Sequence, residues 1–198
     1  MSSAIRVAAD DRDVTYAADL ITRAFDHLGP NRYLVPDDTQ RLSILGDYFR
    51  ILTEHAARGA GEVLLTDGAV AVWFDRTTEP TEPTDYEKQL TAIAGEHLDR
   101  FREVDQLLET HHPTDPHWHL AFLAVEPDRQ GRGLGSTLMN HTHARLDHQG
   151  TAAFLEATNP DNQRIYRRHG YTTMNPPVVR LGDGTPFYRM WRAPRTTA

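Results

Sequence analysis

The stretch "FLAVEPDRQGRGLGSTL", residues 122–138, runs from an apolar segment through three glycines in five positions into a helical pattern. Gly131, Gly133 and Gly135 leave the backbone bare where a strand hands over to a helix. That junction constrains the fold, because a strand–turn–helix unit requires a sheet for the helix to pack on. It also suits an anion. The first N–H groups of a helix lack partners and carry partial positive charge, and glycines let backbone approach a phosphate closely. Arg132 adds a cation to the same turn. The guest implied is a phosphate or pyrophosphate. The Walker ending Gly-Lys-Ser/Thr is absent, and Gly131-x-Gly133-x-Gly135 has the wrong third spacing for a dinucleotide fingerprint. Glu156, the acid at the fingerprint's distance, lies inside the next strand rather than at its end. A tight turn using glycines for packing alone would need neither Gln130 nor Arg132.

The other elements follow from periodicity. "AIRVA" (4–8) reads as a short strand, and Val14, Ala17, Ile21, Ala24 and Phe25 as the face of a helix ended by Gly29-Pro30. A second helix runs from about Thr39 to the glycines at 59 and 61. "EVLLT" and "AVAVWF" flank Asp67-Gly68, a hairpin signal. After the proline-rich loop "DRTTEPTEPT", Thr84 and Glu87 match a capping box opening one long helix over about 84–110. "HWHLAFLAV" and "AAFLEAT" are strands on either side of the helix after the glycines, "NPDNQRIYRRHG" is a short helix, and "YTTM" and "PFYRMWR" are the last strands. The order βα αββ α βαβαββ predicts one α/β (α+β) domain, 1–198, around a mixed sheet.

Composition narrows the classes. No cysteine means no disulfide and no thiolate metal site. His111, His112, His117 and His119 cluster, and H-x-H on a strand shares a face, but no third ligand has metal-binding spacing, so no metal is assigned. The net charge of −7 argues against nucleic acid and suits a cationic substrate. "MSSAIRVAADDRD" lacks the pattern of a signal peptide, and no run reaches the roughly 18 apolar residues of a membrane span. A cytoplasmic protein, monomer or homodimer, is expected.

Gln130-x-x-Gly133-x-Gly135 after Val125-x-Pro127 resembles the acetyl-CoA-binding motif of the GCN5-related N-acetyltransferases (GNAT), and "LEATNPDNQRIYRRHGY" resembles that family's second signature. Within the family, "AVAVWF", the helix before "HHPTDPHW", and "FLAVEPDRQGRGLGS" are similar to the puromycin N-acetyltransferase-like branch. The resemblance implies a mostly antiparallel sheet with a splayed strand, and acetyl-CoA as cofactor. Leu123, Ala124 and Val125 would pair with its pantetheine arm. Gln130, Gly131, Arg132, Gly133, Leu134, Gly135 and Ser136 would wrap its pyrophosphate, with Asn159 and Asn162 supporting cofactor or turn. Tyr166 matches the family's acid for the leaving thiolate. Glu156 is the first candidate base, although relatives often carry that glutamate where this chain has Phe154; His119 is the next. Phe25, Tyr33, Trp73 and His119 are assigned to the acceptor pocket. The function implied is acetylation of a small-molecule amine, such as an antibiotic or aminonucleoside, for resistance or self-protection. A protein or peptide N-terminal acetyltransferase and a non-catalytic acyl-CoA sensor are the alternatives.

Overall fold

The computed structural model describes residues 4–195; the first three residues of the stretch read above as lacking a signal peptide lie outside it. The elements are β1 (Arg6–Val7), α1 (Asp11–Phe25), α2 (Gly29–Leu34), α3 (Asp38–His55), β2 (Gly61–Thr66), β3 (Ala69–Arg76), α4 (Tyr86–Ala94), α5 (Leu98–Thr110), β4 (His117–Val125), α6 (Leu134–Gln149), β5 (Ala152–Ala157), α7 (Pro160–Arg168), β6 (Thr172–Arg180) and β7 (Pro186–Arg192). The strands form a seven-stranded sheet in the order β1-β2-β3-β4-β5-β7-β6. Every neighbouring pair is antiparallel except β4 and β5. This is the mixed, mostly antiparallel α/β sheet anticipated from the sequence.

Two apolar layers cover the sheet. On one face Ala17, Ile21, Leu45, Phe49, Leu90 and Phe101 bring α1, α3, α4 and α5 onto Val70, Val72 and Ala124. On the other, Leu138, Met139 and Leu146 of α6 pack on Ala71, Trp73, Leu120 and Leu155. Strand alternation makes the division: Ala69, Ala71 and Trp73 face one layer, Val70, Val72 and Phe74 the other. The helix ends obey local chemistry. Asp10 accepts the Arg12 and Asp13 amides, each at 3.0 Å, at the start of α1. Asn159 accepts the Asn162 amide at 2.8 Å with Pro160 opening α7, as its sequence suggests. Gly150 closes α6 at φ 66°.

Three expectations are corrected. Gly29-Pro30 does not end the first helix; α1 stops at Phe25, and the dipeptide opens α2, where a first-turn proline has no hydrogen bond to lose. The anticipated long helix is two helices, broken at Gly95, whose φ of 52° no helix can continue. Nor is there a capping box at its start. The chain enters α4 through Asp85 at φ 53°, and Glu87 instead pairs with Arg102, clamping α4 to α5.

Candidate active site

The site begins where β4 and β5 part. They pair over only three positions, His117↔Ala152 to His119↔Phe154. β4 then continues to Val125 alongside β3, and β5 to Ala157 alongside β7. A β-bulge lies at the parting: Val72 faces Phe122 and Trp73 faces Leu120, so Ala121 is the extra residue. A bulge bends its strand and raises its twist, which turns β4 away from β5. The β4 edge facing the fork keeps backbone groups that β5 does not pair.

The glycine turn sits at the end of that edge. Gly131 and Gly133 adopt φ values of 77° and 82°, and a Cβ on either would meet no atom within 4 Å. These glycines are therefore set by backbone conformation and by open space beside it, not by packing. Gly133 is the N-cap of α6 and supplies no side-chain cap for the first-turn amides. Gly135 lies against Leu123 and Val125, where a Cβ would find their side chains at 3.5 and 3.6 Å. The Gln130 side chain donates to the Val125 carbonyl at 3.3 Å, and Arg132 to the Asp128 carbonyl at 3.2 Å. Ser136 Oγ lies 3.0 Å from His169 Nε2, joining α6 to the end of α7. An unpaired strand edge leading to an uncapped, glycine-lined helix start fits a pantetheine arm and a pyrophosphate in series.

On the opposite sheet face, a cavity of about 550 Å³ opens between the strands and α1, α2, α3, α4 and α5. Its floor includes Phe74, His119, Phe122 and Glu156, and its helical wall includes Phe25, Phe49 and Leu108. His119 Nε2 lies 2.8 Å from Glu156 Oε2, and both side chains are close to nine-tenths buried. His119 Nδ1 is buried and unpartnered. The histidines cluster around Phe154, which is fully buried. His117 donates from Nδ1 to the Asp115 carbonyl at 2.7 Å, so its Nε2 accepts from His112 Nε2 at 3.0 Å. Burial drives both rings to the neutral form, pushing His112 down to about 2 and His117 to about 4. Among the described residues no three His, Cys, Asp or Glu side chains group as metal ligands.

Of the residues assigned from sequence, Glu156, His119 and Phe25 meet in this cavity. Trp73 does not reach it: the indole is fully buried under α6, edge-on to His143. Tyr33 is also outside the lining; its hydroxyl donates to Glu103 and Arg100 stacks over its ring. Tyr166 packs from α7 on the far face, its ring 6.0 Å from that of Tyr171. Burial raises its phenol to about 12. Sequence reasoning missed Asp105, which lines the cavity and accepts from the Tyr86 hydroxyl at 2.7 Å, with the Tyr48 hydroxyl 3.5 Å away. Burial raises this carboxyl to about 6. Its helical periodicity marks only Phe101, Val104 and Leu108 as inward, so no local signal singles it out.

Residues 97–173 match the family model of the acetyltransferase (GNAT) domain. A histone acetyltransferase HPA2 and related acetyltransferase from Corynebacterium glutamicum is 26% identical, with a TM-score of 0.75 covering 100% of this chain and 99% of that one. Arylalkylamine N-acetyltransferase 2 from Aedes aegypti shares the fold at 15% identity and a TM-score of 0.58, covering 96% of this chain and 99% of that one. The ribosomal-protein-S18-alanine N-acetyltransferase from Escherichia coli does so at 16% identity and 0.53, covering 100% and 97%.

Proposed function

We propose that this chain, an acetyl-CoA-dependent N-acetyltransferase with the GNAT fold, acetylates the amine of a small molecule and does so as one domain. The observation that carries this reading is the aromatic-lined cavity at the parting of β4 and β5, with the Glu156–His119 pair in its floor. Residues of five helices, α1 to α5, line it, which favours a compact acceptor over an extended peptide. Bound acetyl-CoA supplies the thioester that the acceptor amine attacks.

The chain's own groups divide the remaining work. The β4 edge at Leu123–Val125 holds the pantetheine arm, and the bare turn from Gln130 to Ser136 holds the pyrophosphate, so geometry supplies much of the rate. Asn159 fixes the start of α7, with Asn162 bonded to it. Glu156 receives the proton of the incoming ammonium. His119, which as the donor in the pair leaves the carboxylate its acceptor role, is the group that orients it. Tyr166, with its phenol raised to about 12 by burial, keeps a proton at neutral pH for the departing sulfur. The likeness of "FLAVEPDRQGRGLGS" to the puromycin N-acetyltransferase-like branch supports an antibiotic or aminonucleoside as acceptor, acetylated in the cytoplasm for self-protection or resistance.

The test is coenzyme A release from acetyl-CoA over a panel of small amines and N-terminal peptides. Turnover is expected on small amines alone. Turnover confined to peptides, or tight acetyl-CoA binding with no turnover on either, would overturn the reading.

A further inference from the structure

We propose that Asp105 recognises a second cationic group on the acceptor, so that the preferred substrates are small molecules with two basic centres, one reacting beside Glu156 and one held at Asp105. The inference rests on the small-molecule reading above and narrows it. Glu156 belongs to the sheet floor of the cavity and Asp105 to its helical wall. A ligand spanning the cavity from floor to wall therefore meets a carboxylate at each side.

Asp105 has no cation of its own among the described residues. Its carboxylate is bonded by two phenols, Tyr86 at 2.7 Å from α4 and Tyr48 at 3.5 Å from α3. The charged groups that act on it most strongly, Glu87 and Glu82, are both acidic. Buried carboxylates ordinarily find an ion-pair partner, because the unpaired charge is costly. The phenols satisfy part of this oxygen pair and leave the charge unmatched. Burial and the two glutamates raise the carboxyl to about 6, so it is ionised at neutral pH. The rest of the cavity points the same way. Asp75, Glu79, Glu82, Glu109 and Glu156 line it with Asp105, against the single guanidinium of Arg76. Phe25, Phe49 and Phe122, which line the same cavity, are stacked edge to face with ring centres 5.1 to 6.3 Å apart. They supply an apolar spacer region and ring faces that attract a cation.

The experiment compares matched pairs of acceptors, α,ω-diamines on aromatic or alkyl spacers of increasing length, against the same compounds with one amine replaced by methyl. The wild type is expected to prefer one or more diamines over their monoamine partners in kcat/KM. Asp105→Asn, which keeps an oxygen acceptor for Tyr86, should cut that preference by about 10- to 100-fold, the worth of a charge-assisted hydrogen bond, with acetyl-CoA affinity held and the melting temperature not lowered. Asp105→Glu should restore part of it. An equal loss on both members of each pair, or no wild-type preference at any spacer length, would overturn the proposal. Calorimetric binding of the same pairs to the wild-type protein gives an independent arm. Diamine affinity should rise with pH through about 6 while monoamine affinity does not. If no small amine turns over, the function fails, yet this binding arm still decides the role of Asp105.

Discussion

His119 Nε2 meets Glu156 Oε2 at 2.8 Å beside the last paired position of β4 and β5, so the pair sits where the strands begin to part. The carboxylate can only accept, which assigns the shared proton to the imidazole. Replacing the carboxylate by an amide removes the proton acceptor and leaves the shape. Glu156→Gln should lower kcat/KM for the amine by about 10²- to 10⁴-fold, the usual range for a positioned base, with acetyl-CoA affinity unchanged by calorimetry. Activity within a few-fold of wild type would show that water takes the proton.

Tyr166→Phe removes the hydroxyl and keeps the ring against Tyr171. Turnover should fall by about 10²-fold, with acetyl-CoA affinity nearly intact. A large affinity loss with normal turnover would contradict the assignment.

Gly133 holds φ at 82° with open space where a Cβ would project. Gly133→Val places a branched side chain in a conformation that costs about 1–3 kcal/mol, and fills the room the pyrophosphate needs. Acetyl-CoA binding should be lost while the circular dichroism spectrum is kept. Unchanged binding would refute the cradle. Gly135 is a different case, since a Cβ there meets Leu123 and Val125 at ordinary contact distance, so Gly135→Ala should be mild and Gly135→Val damaging.

Acid should unfold the protein early. Burial is the main cause that lowers His112, His117 and His143 to about 2, 4 and 3, from an ordinary 6.5. Below pH 6.5 the unfolded chain gains protons that the folded chain refuses, so stability is full above 6.5 and lost as pH falls. Each ring costs about 1.4 kcal/mol per pH unit in that window. Asp105 acts oppositely, because its carboxyl, raised to about 6, takes a proton in the folded state first. Near pH 5 the net is about two protons, or about 3 kcal/mol per unit. Denaturant titrations between pH 7 and 4.5 should show this slope, and His117→Gln should reduce it by about one proton. A flat profile would contradict the neutral assignment.

Arg192 of β7 forms two 2.7 Å bonds to Asp147 of α6, with side chains 2% and 15% exposed. Asp147→Ala strands a buried guanidinium and should cost about 3–5 kcal/mol, read by chemical denaturation. A loss under about 1 kcal/mol would mean solvent reaches Arg192.

The sheet, most of its helices and the glycine turn were legible because strand alternation, apolar helix faces and bare turns are local signals. The acceptor wall was less so. Trp73 and Phe74 are adjacent and both aromatic, yet alternation sends one under α6 and the other into the cavity; nothing local says which face receives the acceptor. His119 and Phe122 differ in parity and still share a face, since the bulge at Ala121 resets the alternation. Asp105 gains its meaning from Tyr48 and Tyr86, which are 57 and 19 residues away in the chain. The long helix expected over 84–110 breaks at Gly95, which the sequence hides because apolar spacing resumes in phase after a break that only the backbone reveals.

The central claim is that the β4–β5 fork connects the glycine turn to the cavity floor. A crystal structure with coenzyme A tests it most directly. The account predicts the pyrophosphate on the amides of residues 131–136, the pantetheine arm along the β4 edge at Leu123–Val125, and the thiol emerging beside Glu156. A pyrophosphate bound away from that turn, or a thiol that does not reach the cavity, would contradict it.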